Sequence, residues 1–349
     1  MTRLELARDL VLIDSVSGNE AALASYVAAR LSQNPRLDIE RVGDNVVART
    51  TGAHSTRLII AGHLDTVPGD PSAARIDGET LIGLGACDMK GSLSVMLDLA
   101  SVDAVHGAEL TWVFYAREEI ARAKSGLREL LELRPDLVRG DAAVLGEPTD
   151  GVVEVGCQGS LRVAVTMRGV RAHTARPYMG RNAVHRLGAV ISRVADYAPR
   201  VVELEGVAFT EQMQVVEVDG GVAGNVVPDV ARCVINHRFA PDRTSEEAES
   251  ALRHYLEAVI EVSDSIEVLD WSPAASPALG AQPLRLLEGL SGRVARAKVG
   301  WTDVATFQEM GIPAVNFGAG DPLLAHHPDE RVSAEELERF AQVLGAWIG

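Results

Sequence analysis

The first 150 residues alternate apolar runs with stretches of helical period. Ser17-Gly-Asn-Glu20 has the form of a helix capping box, and Leu23, Val27 and Leu31 then recur on one helix face, which predicts an amphipathic helix. Apolar runs at 57–62 (RLIIAG), 110–116 (LTWVFYA) and 141–146 (DAAVLG) read as strands, and the segments 89–100 and 123–133 between them read as helices. That alternation predicts an α/β sheet with covering helices.

From about residue 160 the pattern changes. Strand 161–169, helix 182–197, strand 211–220, strand 230–239, helix 245–262 and strand 265–270 follow one another, which is the order of the ferredoxin-like split motif. Gly220-Gly221 fits a turn between its middle strands. The expectation is an inserted domain over 160–270, left through the Pro/Ala/Ser-rich segment 272–283. The apolar run 312–318 and a last helix capped by Ser333-x-x-Glu336 then return to the first domain, which is expected to be discontinuous over 1–159 and 271–349. No fixed-period repeat suggests a solenoid.

Composition narrows the partners. With 47% hydrophobic residues the chain can build proper cores, and its formal charge of −16 disfavours nucleic acid or an acidic membrane surface, since phosphate binding needs clustered cations. No apolar run approaches the roughly 18 residues of a membrane span, and Glu5 and Asp9 interrupt the segment where a secretory signal would be apolar, so a cytoplasmic protein is expected. The three cysteines, Cys87, Cys157 and Cys233, lack C-x-x-C spacing and suggest neither disulfides nor a thiolate zinc site. Gly83-x-Gly85 lacks the third glycine of a dinucleotide fingerprint.

The chemistry concentrates where strands end. His63 and Asp65 follow one expected strand, Glu118 and Glu119 the next, Glu147 a third, and Asp88 stands just before a helix. Groups beyond the carboxyl ends of α/β strands converge on one crevice. Carboxylates that close raise one another's pKa or call for a cation, and the mixture of nitrogen and oxygen donors points to zinc or a neighbouring transition metal. His326 and His327, after the late strand, are further candidates.

The segments GHLDTVP, GLGACDMKGS, the EE pair of FYAREEI, LGEPT, GVRAHTARPYMGRNAV, GNVVPDVARCVINHRF and AHHPDER occur in order over nearly the whole chain. Together they resemble the motifs of the di-zinc amidohydrolase and peptidase family. The resemblance implies a discontinuous zinc-peptidase-like catalytic domain, a mixed sheet covered by helices, with an inserted ferredoxin-like α+β dimerisation domain. It implies two Zn2+ ions, with Co2+ able to substitute, and a homodimer acting on a small N-acyl amino acid.

On the same resemblance, His63 and Glu147 hold one metal, Glu119 and His326 the other, and Asp88 bridges them. Glu118 is the general base and acid, and Asp65 supports the other ring nitrogen of His63. His326 is chosen over His327 because family members resemble H-x-x-x-E here, and only His326 stands four residues before Glu330. His173 corresponds to a histidine that reaches a partner subunit's active site and stabilises the oxyanion, while Asn225, Arg238 and Thr302 correspond to substrate contacts. Overall likeness, particularly in GLGACDMKGS and GDPLLAH, favours hydrolysis of N-succinyl-LL-2,6-diaminopimelate. N-acetylornithine or another N-acyl amino acid comes next, then a carboxypeptidase substrate. A non-catalytic binding homologue is disfavoured because every expected position is filled.

Overall fold

The computed structural model describes residues 1–102, 104 and 106–349, which form two compact units. The first comprises Met1–Gly156, Pro277–Arg296 and Thr302–Gly349; the second comprises Cys157–Ser276 and Ala297–Trp301.

The first unit is built on a mixed sheet. Seven of its strands lie in the order Leu37–Val42, Asn45–Thr50, Glu109–Tyr115, Arg57–His63, Ala142–Leu145, Ala314–Asn316 and Glu154–Val155. The middle four run parallel, and the strands beyond them pair antiparallel. Every residue of Glu109–Tyr115 is buried, as is all of Arg57–His63 after its first residue. Central parallel strands covered on both faces favour apolar side chains at most positions, with Glu109, Thr111 and His63 among the buried polar exceptions here, which is why they read as near-continuous apolar runs. Their register aligns His63 with Tyr115, Ala61 with Leu145, and Leu145 with Asn316. The parallel strands therefore leave the sheet along one common edge.

Helices Arg3–Leu12, Ala21–Leu31, Gly91–Ala100 and Ala334–Ile348 belong to this unit. Ser333 and Glu336 close the expected capping box on the last helix. Ser17 and Glu20 do not: Ala21–Leu31 starts with Glu20 at the cap position and no side-chain cap bond. Their side chains have other partners, described below.

The second unit carries an antiparallel sheet in the order Gln212–Gly220, Val230–Phe239, Gly159–Arg168 and Ser265–Ser272, with helices Ala183–Ala195 and Ser245–Leu256. This is the ferredoxin-like arrangement expected from the element order. Leu161, Val163 and Val165 alternate inward to pack with Leu187, Val190 and Leu252 from the two helices.

Candidate metal centre

The metal candidates gather at the carboxyl edge of the parallel strands. His63 ends its strand, Glu118 and Glu119 follow Tyr115 by three and four positions, and Glu147 follows Leu145 by two. Arg117 has φ +61°, a left-handed turn that redirects the chain immediately before the two glutamates. Asp88 lies in the irregular turn ahead of helix Gly91–Ala100, and His326 lies between Ala314–Asn316 and Arg331–Ser333. Gly320, φ +95°, lets that later segment approach the turn: a Cβ there would stand 2.4 Å from the Cβ of Cys87.

Asp88 is the centre of the arrangement. Its Oδ1 lies 3.0 Å from His63 Nε2, which is itself 4.0 Å from Glu147 Oε1. Its Oδ2 lies 3.5 Å from His326 Nε2, which is 2.9 Å from Glu119 Oε1. One donor atom each from His63, Asp88 and Glu119 lies within 4.8 Å of the other two. A carboxylate with one oxygen toward each histidine is disposed to bridge. His327 is exposed, and its Nδ1 accepts the N–H of Asp329 at 3.2 Å instead.

Asp65 acts on this centre in a way its sequence position does not reveal. The backbone carbonyl of Asp65, rather than its carboxylate, makes the short contact to His63 Nδ1, at 2.9 Å against 3.5 Å. A proton on Nδ1 donated to that carbonyl leaves Nε2 free as a ligand. The Asp65 carboxylate accepts the N–H of Glu118 at 2.9 Å, the N–H of Glu119 at 3.0 Å and the Ser17 hydroxyl at 2.6 Å. It thereby fixes the backbone that carries both glutamates.

The electrostatics suit cations. Burial works to lower the His63 pKa, yet hydrogen bonds with Asp65 and Asp88 and the charge of Glu147 hold it well above its ordinary value. Hydrogen bonds with Asp88 and Glu119 push His326 up to about 10. Burial works to raise the Asp88 carboxyl, but His326 and His63 hold it well below the usual carboxylate range. Both histidines thus favour positive charge at the positions where a bridging carboxylate would share two ions. Two imidazoles and three carboxylates form a donor set that fits two divalent cations of the zinc class, since calcium and magnesium favour all-oxygen shells. Burial first, and then the charge of Glu147, raise the Glu118 carboxyl well above its ordinary value. Burial also pushes the Cys87 thiol up, against a nucleophilic role.

The remaining expected site residues lie elsewhere in the chain. His173, in the short strand Ala172–His173, is exposed, and its Nδ1 accepts the N–H of Ala175 at 3.0 Å. Asn225 is exposed, and its carbonyl accepts the Thr174 N–H at 3.0 Å. Arg238 lies within Val230–Phe239, half-buried. These three belong to the second unit, whereas Thr302, 3% exposed, belongs to the first. Three further carboxylates near the centre, Glu20, Asp303 and Glu330, are buried, and none is an expected site residue. Asp303 accepts from the Thr306 hydroxyl at 2.6 Å, and its charge contributes to raising Glu118. The sequence singles out Glu20 only as a helix cap and Glu330 only by its spacing from His326; nothing local marks Asp303.

Residues 59–349 match the model of Peptidase family M20/M25/M40. A protein of Mycobacterium tuberculosis named putative succinyl-diaminopimelate desuccinylase is 44% identical over 348 residues, covering 99% of this chain and 98% of its own. The succinyl-diaminopimelate desuccinylase of Corynebacterium glutamicum is 40% identical, covering 98% and 95%. Among solved structures, a Bacillus subtilis protein described as a dinuclear metal-binding peptidase of the M20 family superposes with a TM-score of 0.70. It is 18% identical and covers 99% of this chain and 96% of its own. The strand-edge cluster, the family match over most of the chain and the full-length relatives agree: this chain belongs to peptidase family M20/M25/M40.

Proposed function

We propose that this protein is a two-metal amide hydrolase that converts N-succinyl-LL-2,6-diaminopimelate and water to succinate and LL-2,6-diaminopimelate. The observation that carries the two-metal part is the division of the Asp88 oxygens between His63 and His326. The names of the relatives at 44% and 40% identity, matched along almost their whole length, support the substrate.

In this reading His63, Glu147 and Asp88 hold one ion, and Asp88, Glu119 and His326 the other. The chemistry supplied by two bound zinc ions, or by cobalt in their place, is Lewis acidity toward water and the amide carbonyl. Glu118 takes a proton from the attacking water and returns it to the leaving amine, so its carboxylate must stay off the metals. Its neighbour Glu119 serves as ligand, and Asp65 keeps the two glutamates in their separate roles by holding consecutive N–H groups. His173 stabilises the oxyanion in the active site of a partner subunit, which makes the enzyme a homodimer. Asn225, Arg238 and Thr302 bind substrate, with the planar fork of Arg238 suited to a carboxylate. No helix among the described residues is long and apolar enough to cross a membrane; the cytoplasm is the proposed site of action.

The test is turnover by the metal-loaded protein on N-succinyl-LL-2,6-diaminopimelate, N-acetylornithine and a panel of N-acyl amino acids in parallel. The succinyl substrate should give the highest kcat/KM. A higher value on N-acetylornithine would reassign the substrate, and no hydrolysis of any amide would remove the enzyme reading.

A further inference from the structure

Two buried carboxylates beside the centre hold backbone rather than candidate ligand side chains. Glu330 is 1% exposed, and its Oε1 accepts the N–H groups of both Cys87 and Asp88, each at 3.0 Å. Its backbone carbonyl accepts the N–H of Gly83 at 2.9 Å, so one residue grips the turn 83–88 at both ends. Glu20 is fully buried, and its Oε1 accepts the N–H of Gly18 at 2.9 Å and of Arg117 at 3.0 Å.

Arg117 is the left-handed residue before Glu118, so Glu20 and Asp65 together capture three consecutive N–H groups, those of residues 117, 118 and 119. Neither segment at these positions runs in a sheet ladder or regular α-helix, and a buried N–H outside such structure must find another acceptor. The acceptor therefore decides where the segment rests.

We propose that Glu330 and Glu20 are positioning residues of the metal centre, Glu330 for the bridging Asp88 and Glu20 for the Glu118–Glu119 pair, each acting through backbone N–H groups. The inference rests on the two-metal reading above. It also makes the segment 320–330 doubly used: His326 supplies a ligand, and Glu330, four residues later, places the carboxylate that this ligand faces.

The two residues should differ in reach. Asp88 is shared by both ions, so displacing it weakens both. Displacing the 117–119 turn weakens only the ion held by Glu119 and misplaces the proton carrier, lowering kcat more than it changes KM.

The experiment uses the full chain stripped of metal and titrated with Co2+, followed by calorimetry and by the visible absorption of the bound ion. Glu330→Gln and Glu20→Gln keep an acceptor oxygen at the same reach but drop the charge. Glu330→Asp and Glu20→Asp keep the charge but withdraw the acceptor by one methylene. Circular dichroism of each metal-free variant shows whether it is folded.

We expect the Gln variants to titrate close to wild type and the Asp variants to lose about 10–100-fold in Co2+ affinity, at both sites for Glu330→Asp and at one for Glu20→Asp. The reverse order, with Gln weak and Asp intact, would show that charge matters and position does not, and would overturn the proposal. So would all four variants titrating like a wild type that binds two ions. A wild type that binds fewer than two ions overturns the two-metal reading, and the proposal falls with it.

Discussion

His63 and His237 are each 1% exposed and each lie in a strand, yet they behave oppositely. His237 sits inside Val230–Phe239, with ring centroids of Tyr197 and Phe239 at 6.2 and 6.1 Å. Neither of its nitrogens has a hydrogen-bond partner among the described residues. Burial lowers its pKa to about 4, with Glu211 opposing and Arg243 and Arg200 adding to the effect. His63 feels the same burial, but three carboxylates reverse its direction. Burial alone keeps a histidine neutral; a ring of carboxylates makes the same residue part of a cation site. Such a ring assembles where parallel strands end in register and the polar residues that follow them converge, whereas His237 stands within an antiparallel strand.

The largest effect should come from removing the carboxylate that separates these two environments. Asp88→Asn should leave the chain with neither tightly bound ion and no measurable turnover, checked by elemental analysis after dialysis. Retention of two ions would deny Asp88 its bridging place. Glu118→Gln sharpens the comparison from the other side: metal content should stay at the wild-type value while kcat falls roughly 10²–10⁴-fold, as expected for loss of a general base and acid. Loss of metal together with kcat would make Glu118 a ligand.

How much of this was legible beforehand depended on the range of the interaction. The strand runs 57–62, 110–116 and 141–146 are legible because each is buried after Arg57 and Asp141 at the starts of the first and third, and the polar residues that follow them mark the site edge. The motif resemblance supplies the proposed ligands, including His326 over its neighbour. What could not be read was the holding of backbone. Ser17-Gly-Asn-Glu20 and Ser333-x-x-Glu336 have the same local form, yet only the second caps its helix. Ser17 instead donates to Asp65 and Glu20 accepts from Arg117, partners 48 and 97 positions away, and no local pattern encodes such a distance. The hairpin Val201–Leu204 and Val207–Thr210 also lies outside the sequence expectation, although Gly206, φ +82°, marks its turn.

The smallest of these effects tests the other histidine. His237 has a folded-state pKa of about 4, below the ordinary 6.5, so between those values the unfolded chain binds a proton that the folded chain refuses. Stability from this residue is therefore fully present above about pH 6.5 and is lost as pH falls toward 4, by up to about 3 kcal/mol. His237→Leu, of similar volume and with no ring nitrogen to protonate, should remove that loss. Guanidinium unfolding at pH 7 and pH 5, followed by tryptophan fluorescence, should show a smaller drop in midpoint for the variant than for wild type. Equal drops would mean that the Glu211 carboxylate offsets the burial of His237 after all, and the contrast with His63 would be one of degree.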